Sequence, residues 1–590
     1  MSIDIETYRL KAQEAIEYVF VKEYHNSLGI PMPIVKMLLP DDANYSTGQY
    51  YITIDKTWQI HLNFGKLPIS YHEFQNEVKV LTRHEIEHYM CCPFDVITHF
   101  RMLKRIRDVY YKHFSHLGIN IEYACGAISN QAADIIVDTK NYYRHSKETL
   151  KSEIDWIKIG ANISACPRHC KLMFLTKEAI WKEDLGINET DPEFLKIVHQ
   201  LADSFTKNGI EDKSSFLDKV EEYAEIFFKL YVEDQKNPQQ SSQQGSQQQS
   251  GQQGPQQQND QQGSQQQSGQ QGPQQQSGQQ GSQQQSGQWG VGRPKDGDEH
   301  GNAFVFADPD KVKEAIEVLA EETSVEEFID LLAIAGIIGM SDKQKGVLWF
   351  NVQSANIIPI VEFSNTGNKS SYTYPSVWRI GDPIEELDLM LTYMTSPRLI
   401  PGMTTKKWGY VSNDDNGTES KQMDLLLVVD TSGSMGSAMK ESANMHQAVL
   451  ASYGILSYFE STKSKVAFIG FSDKIDAYVD WSDKYDDVRE RLLTNGHGGT
   501  KFPISRIKST LDVRSRDLVT VLITNGDLGN INESVSYFRD YLNDDNKLYI
   551  FLLGGSKSLH SYEPLKNIGA KIYNANNANE FCDMVLTDME

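Results

Sequence analysis

The chain changes its pattern of apolar and polar positions three times. Up to residue 233 it mixes strand-like and helix-like runs. Tyr50–Ile54 and Trp58–Leu62 are β-prone runs on either side of Asp55 and Lys56, which predicts a hairpin. From Tyr71 to Cys92, Phe74, Val78, Leu81 and Ile86 recur at helical spacing, which predicts an amphipathic helix. Further helices are expected over Phe94–Phe114, Ile119–Tyr143 and Pro192–Val232, the last with a break near Gly209. Residues 237–288 then lose apolar positions, being almost entirely Gln, Ser, Gly and Pro. GSQQQSGQQ begins at Gly245 and Gly263, and GSQQQSGQ at Gly281, a period of 18 residues. With no apolar residue to stack in any repeat, a solenoid is excluded and a disordered tether is expected.

The last part alternates. Asp424–Val429, Lys465–Phe471, Leu518–Ile523 and Leu548–Leu553 are continuous apolar runs, with helical stretches over Ala438–Glu460 and Ile531–Leu542. Apolar strands alternating with helices predict a parallel sheet covered on both faces. The expected organisation is multidomain. A mostly helical α+β domain over 1–233 precedes a Gln/Ser/Gly/Pro-rich linker over 234–300. A connecting α/β region over 301–420 leads to a doubly wound, Rossmann-like α/β domain over 421–590.

Composition narrows the function classes. The formal net charge of the 590 residues is −23, so the chain repels phosphate backbones and no nucleic-acid partner is expected. Six cysteines do not make a disulfide framework. The start, MSIDIETYRL, lacks the basic-then-apolar pattern of a signal peptide. The longest apolar run, Leu331–Met340, is far shorter than the roughly 18 residues that span a bilayer. A cytoplasmic protein without membrane contact is the expectation.

Two constellations carry chemistry. His84-Glu85-Ile86-Glu87-His88 is an HExxH motif inside a predicted helix. Histidines four apart lie on one helical face, so both imidazoles reach one zinc ion, with Glu85 placed beside them as catalytic base. A third ligand must come from elsewhere. Asn130, Asp134 and Asp138 form a polar stripe, four apart, on an otherwise apolar helix, where buried carboxylates need a cation or donors. His99, Cys92 and the Cys166–Cys170 segment are other candidates. The stripe resembles the second helix of gluzincin-type zincins. That resemblance implies Asp134 as the third zinc ligand and Asp138 as the partner of a ligating histidine. Aspartate stands here where those proteins have glutamate.

The second constellation is Asp430-Thr431-Ser432-Gly433-Ser434 at the end of a predicted strand. It gathers hard oxygen ligands at the carboxyl edge of an α/β sheet. VVDTSGSM is similar to the metal-ion-dependent adhesion site (MIDAS) of von Willebrand factor A (VWA) domains. Phe468–Asp473, Gly498-Gly499-Thr500 and Val521–Asp527 match further segments of that family. The resemblance implies a Mg²⁺ or other divalent cation held by Asp430, Ser432, Ser434, Thr500 and Asn525. Asn525 stands at a usual aspartate, and Asp527 lies two residues on.

An HExxH domain followed by a VWA domain resembles the VWA-like metallopeptidases associated with MoxR-type AAA+ ATPases. Trp378–Ile384 and Pro397–Gly402 look like the lead-in to the VWA domain. The resemblance implies a zinc metallopeptidase whose VWA domain recruits a substrate or such an ATPase through a cation. The alternative is a non-catalytic VWA adaptor of the ATPase with a structural or vestigial zincin domain.

Overall fold

The computed structural model describes residues 5–236, 309–355 and 423–575, plus two strands within 372–410. Short gaps fall at 43–44, 46–49, 55–57, 65–69, 160–162, 338–339, 515–516, 527, 529, 545 and 555–559. The chain forms two compact units, Met1–Ile316 and Glu317–Glu590. The expected linker lies outside the described residues apart from 234–236, which are helical. The lead-in segments Trp378–Ile384 and Pro397–Gly402 also lie outside them.

The first unit is mostly helical. After α1 (Ile5–Glu17) come β1 (Ile34–Met37), β2 (Tyr50–Ile54) and β3 (Gln59–Phe64). β2 and β3 pair antiparallel, with Ile52 opposite Leu62, and β1 adds parallel to β3. α2 (Tyr71–Met90) starts where Ser70 Oγ accepts from the Glu73 amide, a capping arrangement reinforced by an acid in the first turn. Its Phe74, Val78 and Ile86 are buried with Ala12, Ile16, Ile60 and Leu62 in one core. α3 (Val96–Val109), α4 (Ile121–Ile159), α5 (Arg168–Trp181), α6 (Pro192–Thr206) and α7 (Phe216–Lys236) complete the unit.

α4 is longer than its sequence pattern predicts, and it breaks at His145, which has φ −136° and ψ 48°. α5 packs on the first arm of α4. Trp181 stacks on Tyr142 at 4.7 Å between ring centroids, and its Nε1 donates to Thr139 Oγ1. The break at Gly209 is real: the residue has φ 91° between α6 and α7.

The second unit is an α/β sheet. α8 (Pro309–Glu322) runs across the boundary. α9 (Val325–Ile334), α10 (Asp342–Ala355) and an antiparallel pair, β4 (Tyr372–Val377) and β5 (Lys406–Tyr410), follow. Next are β6 (Asp424–Asp430), α11 (Asn444–Ser461), β7 (Val466–Phe471), β8 (Ile475–Ser482), α12 (Tyr485–Leu492) and α13 (Ile504–Leu511). The unit continues through β9 (Leu518–Thr524), α14 (Val535–Asn543), β10 (Lys547–Leu553), α15 (Glu563–Lys566) and β11 (Lys571–Ala575).

The six-stranded sheet has the order β11-β10-β9-β6-β7-β8. All its pairs are parallel except the edge pair β7–β8. β6, β7 and β9 are buried along their whole length, as strands covered on both faces must be. The chain leaves β6 toward β7 and later returns to β9 on its other side. The carboxyl end of β6 is therefore a topological switch point, where such sheets leave a crevice. α11 begins at Asn444, six residues later than its apolar pattern predicts, because Gly433–Lys440 closes as tight turns instead. α10 covers this side of the unit, with Phe350 against His446 and Tyr453 of α11.

Candidate metal centre

α2 and α4 bring His84, His88 and Asp134 together. His84 and His88 lie one turn apart, and their Nε2 atoms are 3.0 Å from each other. Asp134 Oδ1 lies 3.1 Å from His88 Nε2 and 3.5 Å from His84 Nε2. The edges of a tetrahedron with bonds near 2.05 Å are ~3.3 Å, so this triangle suits one ion. Among the described residues these three form a group that can hold a metal ion.

The hydrogen bonds around the group set its chemistry. His84 Nδ1 meets Asp138 Oδ1 at 2.6 Å, and His88 Nδ1 meets the Cys92 carbonyl at 2.9 Å. Both partners only accept, so both Nδ1 atoms carry hydrogen and both Nε2 atoms are left to present lone pairs. Asp134 Oδ1 is buried and receives no hydrogen bond, although Asn130 Nδ2 donates to Oδ2. Three acceptors therefore face one point. Burying them costs free energy unless a proton or cation joins them.

The electrostatics agree with that geometry. Burial opposes the His84 imidazolium, but Asp138 and Asp134 outweigh it and push the pKa up to about 9. Burial likewise opposes ionised Asp138, yet Lys177 and His84 hold its carboxyl well below the usual carboxylate range. Asp134 is also held low against its burial, by His88 and His84.

The other expected ligands stand elsewhere. Among the described residues no fourth His, Cys, Asp or Glu joins the group, and neither His99 nor the Cys166–Cys170 segment belongs to it. Cys92 contributes its carbonyl only as the partner of His88. The Cys166–Cys170 segment opens α5, and His169 and Arg168 both bind Asp234 of α7. Glu85 is half-buried on α2 between the histidines. Glu87, itself fully buried, points into a different network that reaches the surface at Arg144. Its carboxylate takes Tyr24 Oη and Arg144 Nη1 at 2.9 Å each, and Lys140 Nζ at 2.8 Å. Lys177 and the Cys92 carbonyl were missed by sequence reasoning. A lone lysine and a main-chain oxygen leave no motif.

In the second unit, the carboxyl ends of β6 and β9 gather four of the five expected oxygen ligands. Ser432 Oγ is 3.1 Å from Ser434 Oγ, which donates to Asn525 Oδ1 at 3.1 Å. Asn525 Nδ2 donates to the Ser434 carbonyl at 2.8 Å, which turns its oxygen toward the hydroxyls. These spacings match the ~3.0 Å edges of an octahedron with Mg²⁺-length bonds. Asp430 is fully buried, its Oδ1 taking the Ser432 amide and its Oδ2 the Thr524 hydroxyl at 2.7 Å. Thr524 was not expected from sequence. Thr500 follows the loop where Gly433 N meets Gly498 O at 3.4 Å, and its side chain is half-buried. Asp527 lies outside the described residues. No helix among the described residues is long and apolar enough to cross a membrane. No known family model matches this chain, and no curated protein matches it in sequence.

Proposed function

We propose that the first unit is a zinc-dependent peptidase and that the second is a VWA-type domain recruiting its substrate or a MoxR-type AAA+ ATPase. The carrying observation is the triangle of His84 Nε2, His88 Nε2 and Asp134 Oδ1, three acceptors converging with no fourth protein ligand among the described residues. Structural zinc sites are closed by four protein ligands, whereas catalytic sites keep one position open.

Zinc there supplies a Lewis acid that acidifies water and polarises a carbonyl. The chain does the rest. Asp138 and the Cys92 carbonyl fix both imidazoles in the tautomer that leaves Nε2 free to ligate. Glu85 accepts a proton from the attacking water on its carboxylate and returns it to the leaving amine nitrogen. In the second unit, Asp430, Ser432, Ser434, Thr500 and Asn525 would hold Mg²⁺ and leave a position for a partner's carboxylate. The switch-point placement and the hydroxyl spacing support that reading.

The test is elemental analysis of the purified chain, followed by cleavage of a peptide library read by mass spectrometry. The wild type is expected to carry about one zinc per chain. Glu85→Gln is expected to keep that zinc and lose cleavage by about 10²-fold or more. A chain free of transition metal refutes the peptidase. Zinc without cleavage in the wild type, together with loss of ATPase capture in Asp430→Ala, points to the adaptor instead.

A further inference from the structure

Behind His84 runs a buried polar chain longer than a single supporting carboxylate. Asp138 gives Oδ1 to His84 and Oδ2 to Lys177 Nζ at 2.6 Å. Lys177 also binds Glu153 Oε1 at 2.8 Å. Lys177 is 2% exposed, a depth at which lysine is found only when paired.

The two carboxylates belong to one helix, fifteen residues apart. In a straight helix they would stand about 22 Å apart along the axis. Acceptors sharing one ammonium lie within about 6 Å of each other. The break at His145 reconciles the two, because it turns the second arm of α4 back toward the first. The same arm sends Glu148 to Arg83, the residue next to His84 on α2, whose guanidinium also binds Glu23 at 2.6 and 2.8 Å. His84 is thus bracketed twice by the arm beyond the kink. One bracket is at its chain neighbour, and the other runs through Lys177 and Asp138 to its own Nδ1.

Resting on the zinc reading, we infer that the second arm of α4 is a clamp on the metal site, with Lys177 and Glu153 as positioning residues. Glu153 holds Lys177, Lys177 holds Asp138, and Asp138 fixes the ring of His84. Groups that orient a ligating histidine typically change metal affinity by 10- to 100-fold when removed. A pair that merely glued α4 to α5 would change stability and leave the affinity of the folded protein alone.

The experiment uses the full chain and measures zinc affinity by chelator competition. It also records the visible absorption of the Co²⁺-loaded form. Lys177→Met combined with Glu153→Gln removes the cation together with the acid that balances it. It is expected to keep the circular dichroism of the wild type, to weaken zinc binding about tenfold or more, and to shift the Co²⁺ bands. Zinc affinity within about twofold of wild type in that folded variant overturns the clamp. Should the pair not fold, Glu153→Gln alone reads the same link. A loss of about threefold supports the clamp and an unchanged affinity overturns it. His84→Ala with His88→Ala tests the site itself. A wild type without zinc, or zinc retained in that variant, overturns the zinc reading and the clamp with it.

Discussion

With no metal bound, a single proton does the work of the cation. At neutral pH it sits on His84, whose Nε2 lies 3.0 Å from His88 Nε2 and 3.5 Å from Asp134 Oδ1. The His84 pKa is raised from the ordinary 6.5 to about 9. A group whose folded pKa is raised stabilises the fold fully below its unfolded value and loses that stabilisation as pH climbs through the folded value. The window therefore runs from pH 6.5 to about 9. A shift of that size is worth about 3 kcal/mol. Chelator-stripped protein is expected to lose about that much stability between pH 6.5 and 9.5, read by urea unfolding. His84→Asn should flatten this part of the profile.

Zinc requires the same nitrogen unprotonated, so its affinity is expected to rise about a hundredfold from pH 7 to 9.5. Near pH 7, about one proton should leave for each zinc taken up, measurable by calorimetry in buffers of different ionisation enthalpy. A metal-free stability that is level across this window, with no proton released on zinc uptake, refutes the reasoning.

Other outcomes follow from single contacts. Asn525→Asp adds a charge beside Ser432 and Ser434, and is expected to tighten Mg²⁺ binding about tenfold, seen as a larger Mg²⁺-induced rise in melting temperature. Thr524→Val strips Asp430 Oδ2 of its hydroxyl donor and should cost the second unit about 1–3 kcal/mol, while Thr524→Ser should be close to neutral in the same urea titration. Glu87→Ala leaves Lys140 buried without its nearest carboxylate. It is expected to destabilise the first unit by about 3 kcal/mol or more in thermal unfolding.

Periodicity made parts of this architecture readable in advance. The four-residue spacing of His84 and His88 places them on one face whatever surrounds the helix. The acids at 134 and 138 were conspicuous because they interrupt Ala132, Ala133, Ile135, Ile136 and Val137. The buried strands β6, β7, β9 and β10 were legible as unbroken apolar runs, since both their faces are covered. Other features left weaker traces. β8 alternates buried and exposed positions poorly, as an edge strand does, and β1 is only four residues long. α1 and α5 were not expected, α5 because its buried face includes Lys171, Thr176 and Lys177, which read as surface residues until their partners are known. The kink at His145 has no proline or glycine to announce it. Tertiary pairing of Glu148 and Glu153 with Arg83 and Lys177 accounts for it, and no local pattern carries that information.

Asp134 and Asp138 occupy successive turns of the same rod, and that restricts how the chain can change length. One residue inserted between them would rotate everything beyond it by about 100° and carry Asp138 off the His84 ring while Asp134 stayed in place. The acid that faces the two histidines and the acid that steadies His84 thus cannot drift independently. Deletions and insertions have room in the turn around Gly209, but not within residues 130–138.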